Sequence, residues 1–162
     1  MLRILLCLLA VLASSVRGFA SGPVVPGKLA VLKGKVAYAP AQAPLAVQQA
    51  IWAVNKIQSK PYRWGGGHGS FEDRGYDCSG TVSYLLHHAG LLDSPSPSRG
   101  LLTFGEAGPG RWITVYARKG HVFAVVCGLR LDTTGTRAEE GPRWRPDVRV
   151  PRGFIARRPK GL

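Results

Sequence analysis

One thiol in this chain stands where a thiol could act as a nucleophile. Tyr76-Asp77-Cys78-Ser79-Gly80 leads into the apolar run Thr81-Val82-Ser83-Tyr84-Leu85-Leu86, which reads as a tight loop feeding a buried helix with Cys78 at the junction. Free N–H groups and the positive end of the macrodipole gather at a helix N-terminus. They favour the thiolate of a cysteine placed there and so raise its nucleophilicity. Asp77 and Ser79 have the short polar side chains that cap helix starts, and Gly80 permits close backbone approach. Such a thiol needs a base. His121 follows Gly120 and opens the apolar run Val122-Phe123-Ala124-Val125-Val126. Alternate residues of a strand share a face, so His121, Phe123, Val125 and Cys127 are expected on one side, with His121 at the rim. If the Cys78 helix packs on that side, thiol and imidazole meet and the imidazole takes the thiol proton.

The chain after His121 is expected to turn at Gly128 and return through Leu131-Asp132-Thr133. An antiparallel return brings Asp132 and Thr133 back beside His121, pointing to opposite faces. Either could fix the imidazole tautomer. Only Asp132 could also stabilise an imidazolium by charge, and it is preferred, with Thr133 left open. Other pairings fit less well. On a strand, Cys127 lies about 20 Å from His121 at 3.3 Å per residue, whereas a disulfide needs Cα atoms within about 7 Å. Cys78 cannot serve both, and Cys127 is read as a buried hydrophobe. His87 and His88 lie about 13–15 Å along the helix from Cys78 and are read as surface or packing residues. His68 sits on a glycine loop that could border the cleft. These cysteines and histidines lack the compact spacing of a zinc site; no metal and no cofactor is expected.

The elements that must position these groups follow from the pattern of the rest of the chain. Its 162 residues suggest one domain. Arg3 precedes the unbroken apolar run Ile4-Leu5-Leu6-Cys7-Leu8-Leu9-Ala10-Val11-Leu12-Ala13 and then small residues, the pattern of a signal peptide over residues 1–20. The run is short for a membrane span, so no stable insertion is expected after cleavage, and the protein is expected to be periplasmic or secreted. Residues 21–44, rich in Gly, Pro, Ala and Val, read as an extended lead-in with a short strand at 35–39. Residues 45–162 are expected to form the domain proper: a helix over 45–60 ended by Pro61, the loop Pro61-Tyr62-Arg63-Trp64-Gly65-Gly66-Gly67-His68-Gly69, a helix over 78–89 closed by Gly90, and a turn-rich loop over 94–98. Irregular chain follows over 101–110, then strands over 112–117, 121–127 and 129–133, a polar stretch over 134–148 and a last strand over 153–157. Helices first and antiparallel strands second is an α+β order. The formal charge of +13 suits a polyanionic partner. Nucleic acid is disfavoured, since the chain reads as exported and lacks interleaved aromatic and basic residues.

Pro-Tyr-Arg-Trp-Gly-Gly at 61–66, Asp-Cys-Ser-Gly at 77–80 with its helix, and Gly-His-Val at 120–122 opening a strand together resemble the NlpC family of cell-wall cysteine peptidases. The resemblance spans roughly residues 45–135. It implies a minimal papain-like fold, with the nucleophile helix packed on an antiparallel sheet. It also implies an exported enzyme that cuts peptidoglycan stem peptides, commonly between D-glutamate and a diamino acid. Cys78 matches the family's nucleophile and His121 its base. Tyr62, Asp77 and Ser79 match positions that line the cleft and hold the substrate's amino end. Two departures stand out. Gly110-Arg111-Trp112 replaces the family's usual Gly-Asp-Leu, and the third catalytic position, often His in the family, falls here on Asp132 or Thr133. An amidase or acyltransferase of the same fold, or a non-catalytic wall-binding module using the basic surface on anionic wall polymer, is the alternative reading.

Overall fold

The computed structural model describes residues 21–134, 141–147 and 149–162. The expected signal peptide lies outside the described residues. In order, the chain forms strands β1 (Val24–Val25), β2 (Val31–Lys33) and β3 (Val36–Pro40), then helices α1 (Leu45–Ile57), α2 (Cys78–His88) and α3 (Ser98–Leu101). Strands β4 (Glu106–Ala107), β5 (Ile113–Arg118), β6 (His121–Val126), β7 (Leu129–Asp132), β8 (Arg143–Arg145) and β9 (Ile155–Arg158) complete it. The architecture is α+β. A six-stranded sheet runs in the order β4-β9-β5-β6-β7-β8 with antiparallel neighbours throughout. No helix among the described residues is long and apolar enough to cross a membrane.

Helix α2 is the hub. Eight of its residues, Ser79 to Leu86, are buried, so its few polar side chains need internal partners. Thr81 Oγ1 donates to Asp77 O at 2.7 Å, and Ser83 Oγ exchanges hydrogen bonds with Ser96 O (3.1 Å) and Ser96 N (3.0 Å). Its end is closed as the Gly90 signal suggested. Gly90 takes a φ of 69°, Gly90 N donates to His87 O at 2.8 Å and Leu91 N to Leu86 O at 2.9 Å, the Schellman pattern. Val82, Leu85 and Leu86 join one core with Val47, Ile51 and Val54 of α1 and with Ile113, Val115, Ala117, Val122, Ala124, Val126 and Leu131 of the sheet. Full burial of each large apolar side chain stabilises by about 1.5–3 kcal/mol.

That core corrects one expectation. The sheet face that joins the core of α2 carries Val122, Ala124 and Val126, not the His121 face. Phe123 is fully buried on the other side, against Tyr116 (ring centroids 5.0 Å apart), Phe154 (5.1 Å) and the Arg149 guanidinium (5.5 Å). A one-residue change of face is what a period-two element allows. The run 121–126 is apolar on both faces, so its pattern alone cannot say which side meets the helix.

Three further differences concern strands. Strand β6 stops at Val126, because Cys127 and Gly128 form the two-residue turn to β7. Val126 pairs with Leu129, and both turn residues have positive φ, 48° and 89°, as right-twisted hairpins favour. Residues Arg143-Trp144-Arg145, read as part of a polar stretch, form β8 beside β7, with Trp144 N donating to Gln58 Oε1 at 2.8 Å. The lead-in carries β1, β2 and β3 and enters the core: Ala37 and Ala39 are fully buried. Asn55 of α1 brackets Ala37, accepting from its N–H and donating to its C=O, both at 2.9 Å.

Candidate active site

Asp77 shapes the start of α2. Its side chain accepts from Gly80 N at 2.8 Å, the N-cap bond. It also accepts from Gly65 N at 3.1 Å and from Ser79 Oγ at 3.1 Å. One carboxylate therefore ties the glycine loop to the first turn of the helix. The two backbones meet closely: a Cβ on Gly80 would lie 2.0 Å from Gly66 O, a contact that only glycine permits. Cys78 is held in this first turn, half-buried and free of any disulfide; Cys127 is free as well.

His121, first residue of β6, stands at the sheet rim, close enough to Cys78 for the two groups to influence each other electrostatically. Its Nε2 lies 3.0 Å from Asp132 Oδ1 and also meets the Thr134 hydroxyl. With Nε2 so occupied, Nδ1 is the nitrogen left for the sulfur. The register explains the Asp132 contact. Ala124 pairs with Leu131 and Val125 with Arg130, which sets Asp132 opposite Phe123, on the face of His121 and diagonal to it. Asp132, whose side chain is 0% exposed, also accepts from Thr134 N at 2.8 Å, Arg130 Nη1 at 2.9 Å and Arg149 Nη1 at 3.1 Å.

The charges follow from these contacts. Burial pulls the His121 imidazole down, but its hydrogen bond to Asp132 and its interaction with Cys78 outweigh burial and lift it to about 9. Burial pushes the Asp132 carboxyl up, but the bonds from His121 and Thr134 N and the Arg130 charge hold it at about 2. At neutral pH the site therefore contains an imidazolium beside the Asp132 carboxylate, with Cys78 as its other neighbour. That is the arrangement of nucleophile, base and orienting group used for acyl transfer.

The other expected site residues lie at the start of α2 and on the chain bridged to it. Burial, then the charges of Cys78 and Asp77, push the Tyr62 hydroxyl above its ordinary value. Ser79 is 3% exposed. His68, on the exposed loop, lies with Nε2 3.0 Å from Asp77 Oδ2 and 3.0 Å from Ser79 Oγ. Both oxygens of Asp77 are thus engaged within the fold, and an arriving amine would have to displace the His68 ring to reach Asp77 and Ser79. His87 stacks on Phe71 (3.8 Å between centroids) and His88 packs on Tyr84 (4.4 Å), both away from the thiol. Among the described residues no group of three or more His, Cys, Asp or Glu side chains could hold a metal ion.

No family model matches the chain, and no curated protein matches it. Reading the sequence missed four members of the site: Thr134, Arg130, Arg149 and Phe154, whose ring stands edge-on to His121 at 6.0 Å and 78°. Arg130 could have been found, since it lies two residues before Asp132 on the same strand face. Arg149 and Phe154 carry no local signal; the connection from β8 into β9 brings them to the site.

Proposed function

We propose that this protein is an exported cysteine peptidase with a minimal papain-like fold of the NlpC type, which hydrolyses a peptide bond in peptidoglycan stem peptides, between D-glutamate and a diamino acid. The observation that carries the reading is the line Cys78–His121–Asp132, with the thiol in the first turn of a buried helix and the ring near it held by Asp132 at 3.0 Å. The Cys78 thiolate attacks the carbonyl carbon, and the negative charge that develops on its oxygen is met by the Cys78 N–H, which lies in the turn whose N–H groups lack intrahelical acceptors. The Tyr62 hydroxyl borders the same space. His121 then gives its proton to the departing amine as the C–N bond breaks and a thioester forms. In the second step His121 takes a proton from water, the hydroxide oxygen attacks the thioester, and the thiolate leaves with the carboxylate product free.

Tyr62, Asp77 and Ser79 receive the substrate's amino end, its ammonium taking the place of the His68 ring. The charge of +13 supports retention near anionic wall polymer. It is also what favours the rival reading, a binding module without catalysis. Incubating the protein with muropeptides and weighing the products by mass spectrometry tests the proposal: cleavage that disappears in Cys78→Ala supports it, and full cleavage by Cys78→Ala rejects it. Alkylation at pH 6 separates the rival, because a non-catalytic module has no reason to keep Cys78 more reactive than a free cysteine.

A further inference from the structure

The residues beyond His121, away from the thiol, are where the departing half of a substrate must lie, because the general acid stands next to the atom it protonates. This surface is a layer of aromatic rings carrying cations. Arg118 pairs directly with His121 across β5 and β6, so their side chains share a face. The Arg118 guanidinium lies 4.7 Å from the centre of the Phe154 ring, the same ring that meets His121 edge-on. Arg149 covers the ring from another side, 5.3 Å from its centre.

The two arginines differ in what they leave free. Arg149 donates to Asp132 Oδ2 at 3.1 Å, within a set where Arg130 also holds Asp132 and Asp147. Arg118 is exposed and makes no ion pair among the described residues. A guanidinium lying over a ring is steered by it and keeps its N–H edge for a planar acceptor. A carboxylate fits that edge in bidentate fashion. The inward-facing carboxylate nearby, Asp132, is already occupied, so the layer presents net positive charge to whatever lies on it.

We propose that Arg118, seated on Phe154 beside His121, binds a carboxylate on the half of the substrate that leaves, so that the protein favours substrates releasing an amino acid or peptide with a free carboxylate close to the new amine. The inference rests on the peptidase reading above and adds its leaving-side specificity. Arg118 is thus a specificity residue, and Phe154 positions it.

The test uses two synthetic stem peptides, identical except that the leaving residue ends in a carboxylate in one and in a carboxamide in the other. The full-length protein should turn over the carboxylate peptide with kcat/KM about 10–100-fold higher, the range of a charge-assisted bidentate contact. Arg118→Gln should bring that ratio close to one, and Arg118→Lys, which keeps the charge but not the fork, should restore only part of it. Binding of the same peptides to Cys78→Ala, with and without Arg118→Gln, should show the same loss of preference in Kd. A wild-type ratio near one, or a preference that survives Arg118→Gln, overturns the inference and leaves the peptidase reading standing. Cleavage of neither peptide by the wild type, with no preference in Kd either, overturns both.

Discussion

The two free thiols among the described residues have been given opposite environments. Cys78 opens a buried helix and lies near enough to His121 and Tyr62 to influence both electrostatically. Cys127 sits in the turn at the other end of the strand that His121 begins. There its backbone is what the fold uses: its N–H donates to Trp112 O and its C=O accepts from Ala30 N, both at 2.8 Å. Burial alone pushes the Cys127 thiol up to about 12. A thiol becomes a nucleophile through an adjacent cation and open N–H groups; burial without them makes it a small hydrophobe. The same strand produces both outcomes because His121 and Cys127 stand at its opposite ends, with different neighbours.

The contrast can be broken most forcefully by exchanging the thiols' chemistry for methyl groups. Cys78→Ala should lower muropeptide turnover by about 10⁴-fold or more, while Cys127→Ala should keep kcat/KM within about twofold and lower the free energy of unfolding in urea only slightly, by about 1 kcal/mol or less. Competitive alkylation followed by peptide mapping should label Cys78 first at pH 6. Cys127 should resist until the pH approaches 12 or the protein unfolds.

The cation that distinguishes Cys78 can be weakened next. Below about pH 9, His121 carries the proton that the leaving amine needs, so kcat/KM should hold through neutral pH and fall above about 9. Asp132→Asn removes the charge that sustains the imidazolium and should lower that alkaline limb by about 1–3 pH units. The linkage has a definite sign. His121 is raised above its ordinary 6.5, so its contribution to stability is complete below 6.5 and is lost as pH rises through about 9. Asp132 is depressed from 3.8 to about 2, so its contribution is complete above 3.8 and is lost as pH falls through about 2. Urea unfolding at pH 6 and pH 10, in wild type and Asp132→Asn, checks the first of these.

Smaller effects should come from the loop that frames Cys78. Asp77→Ala removes the N-cap and unties the glycine loop, for a loss of about 1–2 kcal/mol in urea unfolding together with slower alkylation of Cys78. His68→Ala empties the seat on Asp77 and Ser79, and KM for a stem peptide with a free amino end should fall a few-fold with kcat little changed; a higher KM would mean that His68 itself binds substrate.

Much of this was legible in the order of residues. Asp77 ahead of Cys78 and an apolar run announced a capped, buried helix, and Gly90 announced its end, because caps and helix ends are local chemistry. The Asp132 contact was legible from strand alternation and a short turn. The face on which α2 packs was not, since 121–126 is apolar on both sides. Nor was the place of Phe154 and Arg149, which reach His121 through a connection whose path depends on the rest of the sheet. Strand β8 was hidden inside a polar composition, and only the buried Trp144 between Arg143 and Arg145 marks it.

By itself, then, the amino-acid order determined which side chains could do chemistry and which short elements carry them, because capping, alternation and turn geometry act over a few residues. Only the tertiary structure decided that the ring of His121 lies near Cys78 rather than in the core of the sheet, that two arginines hold Asp132, and that Arg118 lies over Phe154. Those are long-range contacts, set by how one sheet face excludes water against α2 while the other gathers rings and charges.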